Sequence, residues 1–246
     1  MSERVGSVAT KRTRFQVFDI ARIENPFLAK TPNDSPVTFI ALAGELAAGI
    51  TALGLDVAPD AQQHMLDYLL LVEKWNKAYN LTAVREPAKM LTHHLLDSLS
   101  VLPHVRGPRV LDVGSGAGLP GIPLALARPE WQFTLLDSSH KKTTFLRQAV
   151  IELKLINVEV VCDRVETWVS PQLFDTVVSR AFSDLPEFLG LAGKLCAKTG
   201  VVVAMKGIYP HEELAQVPKD FQLCSVVSLN VPGLDAERHA ALLQPA

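Results

Sequence analysis

The stretch Val110-Leu111-Asp112-Val113-Gly114-Ser115-Gly116-Ala117-Gly118-Leu119-Pro120-Gly121 decides the fold. A short apolar run carrying one acid leads into three glycines at alternate positions, then into Pro120 and Pro123 and a second apolar run. Glycine has no Cβ, so the backbone can turn sharply here and approach a ligand closely. Proline is tolerated in the first turn of a helix, where backbone N–H groups have no intrahelical partner. The stretch therefore reads as strand, turn, helix. A dinucleotide fingerprint would be GxGxxG. Here the third glycine position holds Leu119 and the order is D-x-G-x-G-x-G, which argues against a nicotinamide-dependent dehydrogenase.

Beyond this stretch, the chain alternates strands and helices after Gly107 and Pro108. Strands are expected at 109–113, 133–136, 158–162, 174–179, 201–205, 223–229 and 240–243. A helix is expected over 141–154, packing through Phe145, Leu146, Ala149, Val150 and Leu153. Such alternation predicts an α/β fold with a mostly parallel sheet of about seven strands, covered on both faces. Ligands bind such sheets at the carboxyl ends of the strands, near the topological switch point. Upstream, Met65, Tyr68, Leu69, Val72, Trp75 and Tyr79 recur at the spacing of an amphipathic helix. Pro87 suits the first turn of the next helix, along which Leu91, Leu95, Leu99 and Leu102 share a face. The division expected is a disordered extension over 1–36, rich in turn residues towards its end, a helical cap over 37–106 and an α/β domain over 107–246.

The 246 residues are 48% hydrophobic and 20% charged, a composition suited to a large buried core. A net charge of −2 advertises no polyanionic partner, so any nucleic-acid contact must come from a local patch. Cys162, Cys196 and Cys224 are odd in number and widely spaced, which suits small buried residues in a reducing compartment rather than disulfides or a metal site. The apolar segment 39–50 contains Gly44 and Glu45 and is too short to span a bilayer. No secretory pattern precedes it, so the expected location is the cytoplasm, with no membrane partner. A monomer is favoured over an oligomer.

In its strand-to-helix context, D-x-G-x-G-x-G resembles the first motif of Rossmann-like class I methyltransferases, which hold S-adenosylmethionine. Gly114, Gly116 and Gly118 would form the cradle. Asp137 closes the second strand about 20 residues later, where an acid can accept hydrogen bonds from ribose hydroxyls. Its alternative role is to cap the following helix. Asp163-Arg164-Val165-Glu166 follows the third strand and would border the adenine, or form a solvated turn.

Further blocks run in order along the chain: KWNKAYNLT from Lys74, HLLDS from His94, DVGSGAGLPGIPLA from Asp112, TLLDS ending at Ser138 and FLRQ from Phe145. RVE from Arg164, SRAF from Ser179, MKG from Met205 and ERH from Glu237 follow. On these blocks the chain resembles the bacterial 16S rRNA guanine-N7 methyltransferase family RsmG, also called glucose-inhibited division protein B (GidB). The resemblance implies transfer of a methyl group from S-adenosylmethionine to nitrogen 7 of one guanine in 16S rRNA. The partner would be that RNA or a small ribosomal subunit particle; another RNA, a protein or a small molecule is the alternative acceptor. Carried over by motif, the cofactor contacts are Gly114 and Leu119 in the loop, Val165 and Glu166 beside the adenine, and Arg180. The loop reads GSGAGLPG where relatives often have GTGPGLPG. Residues 1–36 do not match the family's blocks and are expected to be a lineage-specific arm or an over-extended start.

Guanine nitrogen 7 carries an in-plane lone pair and no hydrogen, so attack on a methyl group requires no general base. Positioning and electrostatics then supply the acceleration. Arg180 is expected to neutralise the methionine carboxylate or to orient the acceptor edge of guanine, which arginine can contact bidentately. Lys206 would contact RNA phosphate or the base, or be an ordinary strand-end lysine, and Phe182 would stack on a base or pack locally. Arg85, His94, Lys141, Lys142, Arg147 and Arg164 are the candidates for a basic rim on RNA, against an ordinary solvated face. Trp75 and Tyr79 read as core rather than as a stacking platform.

Overall fold

The computed structural model describes residues 36–246 apart from Ala181 and Ser183. The extension expected over 1–36 lies outside these residues except for Pro36. Helix α1 (Pro36–Ala52) and helix α2 (Pro59–Tyr79) come first. Proline stands at the start of α2, and Asn80 ends it in the left-handed conformation (φ 47°), its N–H donating to the carbonyl of Asn76. One continuous helical stretch follows: α3 (Pro87–Met90), a π-helical segment (Leu91–Leu96) and α4 (Asp97–Ser100).

The sheet then begins with β1 (Arg109–Val113), α5 (Gly121–Ala127), β2 (Gln132–Asp137), α6 (His140–Glu152) and β3 (Val158–Cys162). It continues with β4 (Phe174–Ser179), α7 (Leu185–Ala192), β5 (Cys196–Lys206), α8 (His211–Leu214), β6 (Phe221–Ser228) and β7 (His239–Pro245). Seven strands lie in the order β3-β2-β1-β4-β5-β7-β6. All pairings are parallel except those of β7 with β5 and β6. The chain leaves β1 for β2 on one side and returns to β4 on the other, so the switch point falls between β1 and β4.

β1 shows why the sheet is covered on both faces. Val110 packs into the cluster that α1, α2, α5 and α6 supply, and Leu111 and Val113 join the one built on Phe188 and Leu189 of α7. β5 alternates in the same way, with Val201, Val203 and Met205 on one side and Val202 and Ala204 on the other. The helices before β1 belong to the first cluster, so their apolar stripes and the sheet share a core. β5 starts at Cys196, five residues before the apolar run at 201–205, because Cys196 pairs with Phe174 across a register shift. The exposed polar residues Lys198 and Thr199 hide that portion from apolar periodicity.

Of the cysteines expected to be buried, Cys196 alone is; burial pushes its thiol up to about 12. Cys162 is half-buried and Cys224 is exposed, because it lies on edge strand β6, whose middle residues face solvent. No described helix is long and apolar enough to cross a membrane.

Candidate active site

The glycine loop is held from three directions. Gly114, Gly116 and Gly118 all have positive φ, at 71°, 61° and 94°. The amides of Gly114 and Ser115 both donate to the carbonyl of Leu136, at 2.8 and 3.1 Å, which extends the β1–β2 pairing into the turn. Asp112, fully buried on β1, accepts from the amide of Gly121 through Oδ2 at 2.9 Å, and its carbonyl accepts from the hydroxyl of Ser115 at 2.9 Å. From α2, the hydroxyl of Tyr68 donates to the carbonyl of Ala117 at 2.6 Å. Desolvation pushes the Asp112 carboxyl up to about 7, and its Oδ1 is buried without a hydrogen-bond partner.

Asp137 joins loop to cleft. Its Oδ2 accepts from the amide of Gly116 at 2.9 Å, and its Oδ1 accepts from the amide of Ser139 at 2.8 Å. The cap of α6 is Ser139, whose hydroxyl accepts from the amide of Lys142 at 3.4 Å. The Lys142 ammonium stands 3.7 Å from Asp137. Asp137 and Lys142 line a cleft with Gly114, Asp163, Arg164, Val165, Glu166 and Phe182, floored by Val113 and Leu136. Acceptors beside an apolar floor, under a backbone freed of Cβ atoms, fit an adenosyl group. The orphaned Oδ1 of Asp112 adds an unmet hydrogen-bonding demand at the base of the loop.

A second cleft opens beyond the end of β4. Thr82, His94, Asp97, Arg180, Lys206 and Arg238 line it. Asp97, 2% exposed, accepts from Nη1 of Arg180 through Oδ2 at 3.1 Å and from Nε of Arg238 through Oδ1 at 2.9 Å. Arg180 also donates to the carbonyl of His93 at 2.9 Å. The Lys206 ammonium donates to Glu213 at 2.6 Å and to the carbonyl of Phe182 at 3.3 Å. Arg180 lines this cleft and Phe182 the other, so the end of β4 stands between them. Phe182 also stacks on Phe188 of α7, with ring centroids 5.1 Å apart.

The residues singled out in the sequence thus divide. Gly114, Asp137, Val165 and Glu166 meet at the first cleft. Gly116 reaches it through its bond to Asp137, whereas Gly118 and Leu119 are buried against the core. Arg180 stands with Lys206 at the second cleft rather than with the other cofactor candidates.

Among the basic-rim candidates, Arg85, Lys141, Arg147 and Arg164 are exposed and Lys142 is half-buried. His94 is a correction: it is 2% exposed and its Nε2 pairs with the Thr82 hydroxyl at 3.1 Å, so it has no surface to offer a phosphate. Desolvation lowers its pKa to about 4, which makes it a neutral wall of the second cleft.

Asp97 and Arg238 appear in the sequence only inside the HLLDS and ERH blocks, without a role. A signal for Asp97 existed: an acid inside the helical stretch that also carries Leu95, Leu96 and Leu99 must, if buried, find cationic partners or donors. Tyr68 read as core, and it is core, but its hydroxyl could not be matched to Ala117 from sequence.

Known proteins agree with this architecture. A SAM-dependent methyltransferase from Aquifex aeolicus superposes with a TM-score of 0.51 at 19% identity, covering 70% of this chain and 97% of that one. The O-methyltransferase TomG from Streptomyces achromogenes gives 0.52 at 20% identity, covering 81% and 96%. At these identities the likeness establishes the Rossmann-like methyltransferase fold. The family model "GidB: rRNA small subunit methyltransferase G" matches residues 61–241. The ribosomal RNA small subunit methyltransferase G of Nitrosospira multiformis is 56% identical over 211 residues, covering 83% of this chain and 98% of that protein. Its counterpart in Laribacter hongkongensis is 55% identical over 202 residues, covering 82% and 98%. A family match over most of the chain, with relatives aligned nearly end to end, leads to one conclusion: the chain belongs to the GidB family, rRNA small subunit methyltransferase G.

Proposed function

We propose that the chain transfers a methyl group from S-adenosylmethionine to nitrogen 7 of one guanine in small-subunit (16S) rRNA. S-adenosylmethionine-dependent methylation of small-subunit rRNA is the family's activity; the nitrogen 7 position is the finer part of the reading. The first cleft holds the cofactor, with Asp137 on the ribose and the 163–166 turn on the adenine. The second cleft takes the base. In this arrangement residues 37–106 cap the methyltransferase domain of 107–246, because the second cleft takes Thr82, His94 and Asp97 from the former and Arg180, Lys206 and Arg238 from the latter.

The observation that carries the reading is the donor character of the second cleft. Arg180, Arg238 and Lys206 line it, while its carboxylate, Asp97, is already engaged by two arginines. Such a wall suits the acceptor edge of guanine, O6 and N7, better than an exocyclic amine. When bound, S-adenosylmethionine supplies an electrophilic methyl group, which the N7 lone pair can take with no prior proton loss. Arg180 then orients the base through O6, leaving N7 for the methyl group. Lys206 adds positive potential towards the RNA, and Arg85, Lys141, Lys142, Arg147 and Arg164 supply phosphate contacts. The ribosomal substrate puts the enzyme in the cytoplasm.

The test is depletion of the protein followed by mapping of 7-methylguanosine in 16S rRNA. One such modification disappears on depletion and returns on complementation; retention of every one overturns the reading.

A further inference from the structure

We infer that Asp97 is the positioning residue of the acceptor cleft, fixing Arg180 and Arg238 as a pair and offsetting their charge while the base is methylated. This rests on the assignment of the second cleft to the acceptor base. Asp97 stands at the first position of α4, immediately after the π-helical segment. A carboxylate at 2% exposure is costly unless it is paired. Its two oxygens are divided between two chain segments: Oδ2 accepts from Arg180 at the end of β4, and Oδ1 from Arg238 just before β7. Both arginines are therefore tied to the helical residues 87–100 as well as to the sheet.

A guanidinium has five N–H donors in a rigid plane. The contacts described use only Nη1 of Arg180, and Nε and Nη1 of Arg238, the latter on the carbonyl of Glu237 at 2.8 Å. Each arginine is thus anchored by part of its fork and can present the rest to the cleft both residues line. Long side chains held in this way have surrendered their rotamer freedom before RNA arrives.

The charge count favours the same role. Arg180, Arg238 and Lys206 bring three positive charges to the cleft, and Asp97 and Glu213 bring two negative ones to them. Methylation at N7 leaves the purine cationic, so uncompensated guanidiniums would oppose the transition state. Asp97 reduces that opposition without lining the cofactor cleft.

The test compares wild type, Asp97→Asn, Arg180→Ala and the double variant, using small ribosomal subunits that lack the modification as substrate. Asp97→Asn should lower kcat at saturating cofactor by about tenfold or more, while affinity for S-adenosylhomocysteine stays within about twofold. In the Arg180→Ala background, Asp97→Asn should cost no more than about threefold further, because the two act as a unit. Unchanged kcat, additive losses, or a parallel loss of cofactor affinity each overturns the inference. Should Asp97→Asn fail to bind S-adenosylhomocysteine because it does not fold, Arg238→Gln, which keeps the Asp97–Arg180 pair, decides. It should lose about tenfold in kcat with cofactor affinity kept, and undiminished turnover overturns the inference. A wild-type protein that makes no 7-methylguanosine refutes instead the underlying reading, and does so before any variant is assayed.

Discussion

Tyr68 on α2 is fully buried and donates its phenolic hydrogen to the carbonyl of Ala117, in the middle of the glycine loop, at 2.6 Å. A helix from outside the sheet therefore sets the height of the loop over the carboxyl ends of the strands. Burial also raises the pKa of the Tyr68 hydroxyl, so it remains a donor throughout the working range.

Tyr68→Phe keeps the ring in the core and leaves the Ala117 carbonyl without its donor. The expected cost is about 1–2 kcal/mol of stability, measured by urea unfolding. Cofactor affinity should fall with it, since the loop loses its upper anchor. Unaltered stability would mean that the bond contributes nothing net.

Asp137→Asn tests the junction of loop and cleft. An amide oxygen can replace only one of the two acceptors that now serve Gly116 and Ser139. Calorimetry with S-adenosylhomocysteine should show affinity lowered at least about tenfold, equivalent to about 1.4 kcal/mol. Affinity equal to wild type would remove Asp137 from the cofactor site.

Gly118→Ala should be worse than its size suggests. At φ 94° a side chain is strained, and its Cβ would stand 2.6 Å from Cδ1 of Ile122. The expected loss is about 1–3 kcal/mol, read as a lowered Tm. A wild-type Tm would show that the loop relaxes without cost.

His94 predicts a pH dependence. Its folded pKa of about 4 lies below the ordinary 6.5, so the unfolded chain binds the proton first as the pH falls. The stability from its neutral burial is complete above pH 6.5 and lost as the pH drops towards 4, to a total of about 3 kcal/mol. Asp112 acts in the opposite sense: with its carboxyl at about 7, its contribution is complete below pH 3.8 and lost as the pH rises to 7. The two slopes offset each other in wild type between pH 4 and 6.5. Comparing wild type with His94→Asn isolates one of them: wild type should lose ground to the variant as the pH falls from 7 to 4. A stability difference independent of pH would contradict the neutral, buried state.

Much of the fold was legible because it rests on short-range periodicity. β1, β3 and β4 appear at the bounds their apolar runs suggest, and the glycines and prolines of 114–123 mark a turn that few other residues could make. β5 exceeded its apolar run because Cys196 pairs with Phe174 of β4 across a register shift, while the exposed Lys198 and Thr199 interrupt the apolar pattern between it and Val201. His94 was misplaced for a related reason: a histidine has the same letter whether it meets phosphate or a leucine-rich core.

The strand–turn–helix that builds the loop and the succession of strands and helices along the chain were readable from the sequence, since each is carried by neighbouring residues, and the family was readable from motif blocks spread from Lys74 to His239. Tertiary structure alone decided the second cleft. Asp97, Arg180 and Arg238 lie on separate segments, and their meeting depends on the π-helical segment, the β4 switch point and the antiparallel return of β7 together. Local propensity says nothing about which buried acid will neutralise which arginine. That choice follows from desolvation, which favours a buried carboxylate between the two cations the fold delivers.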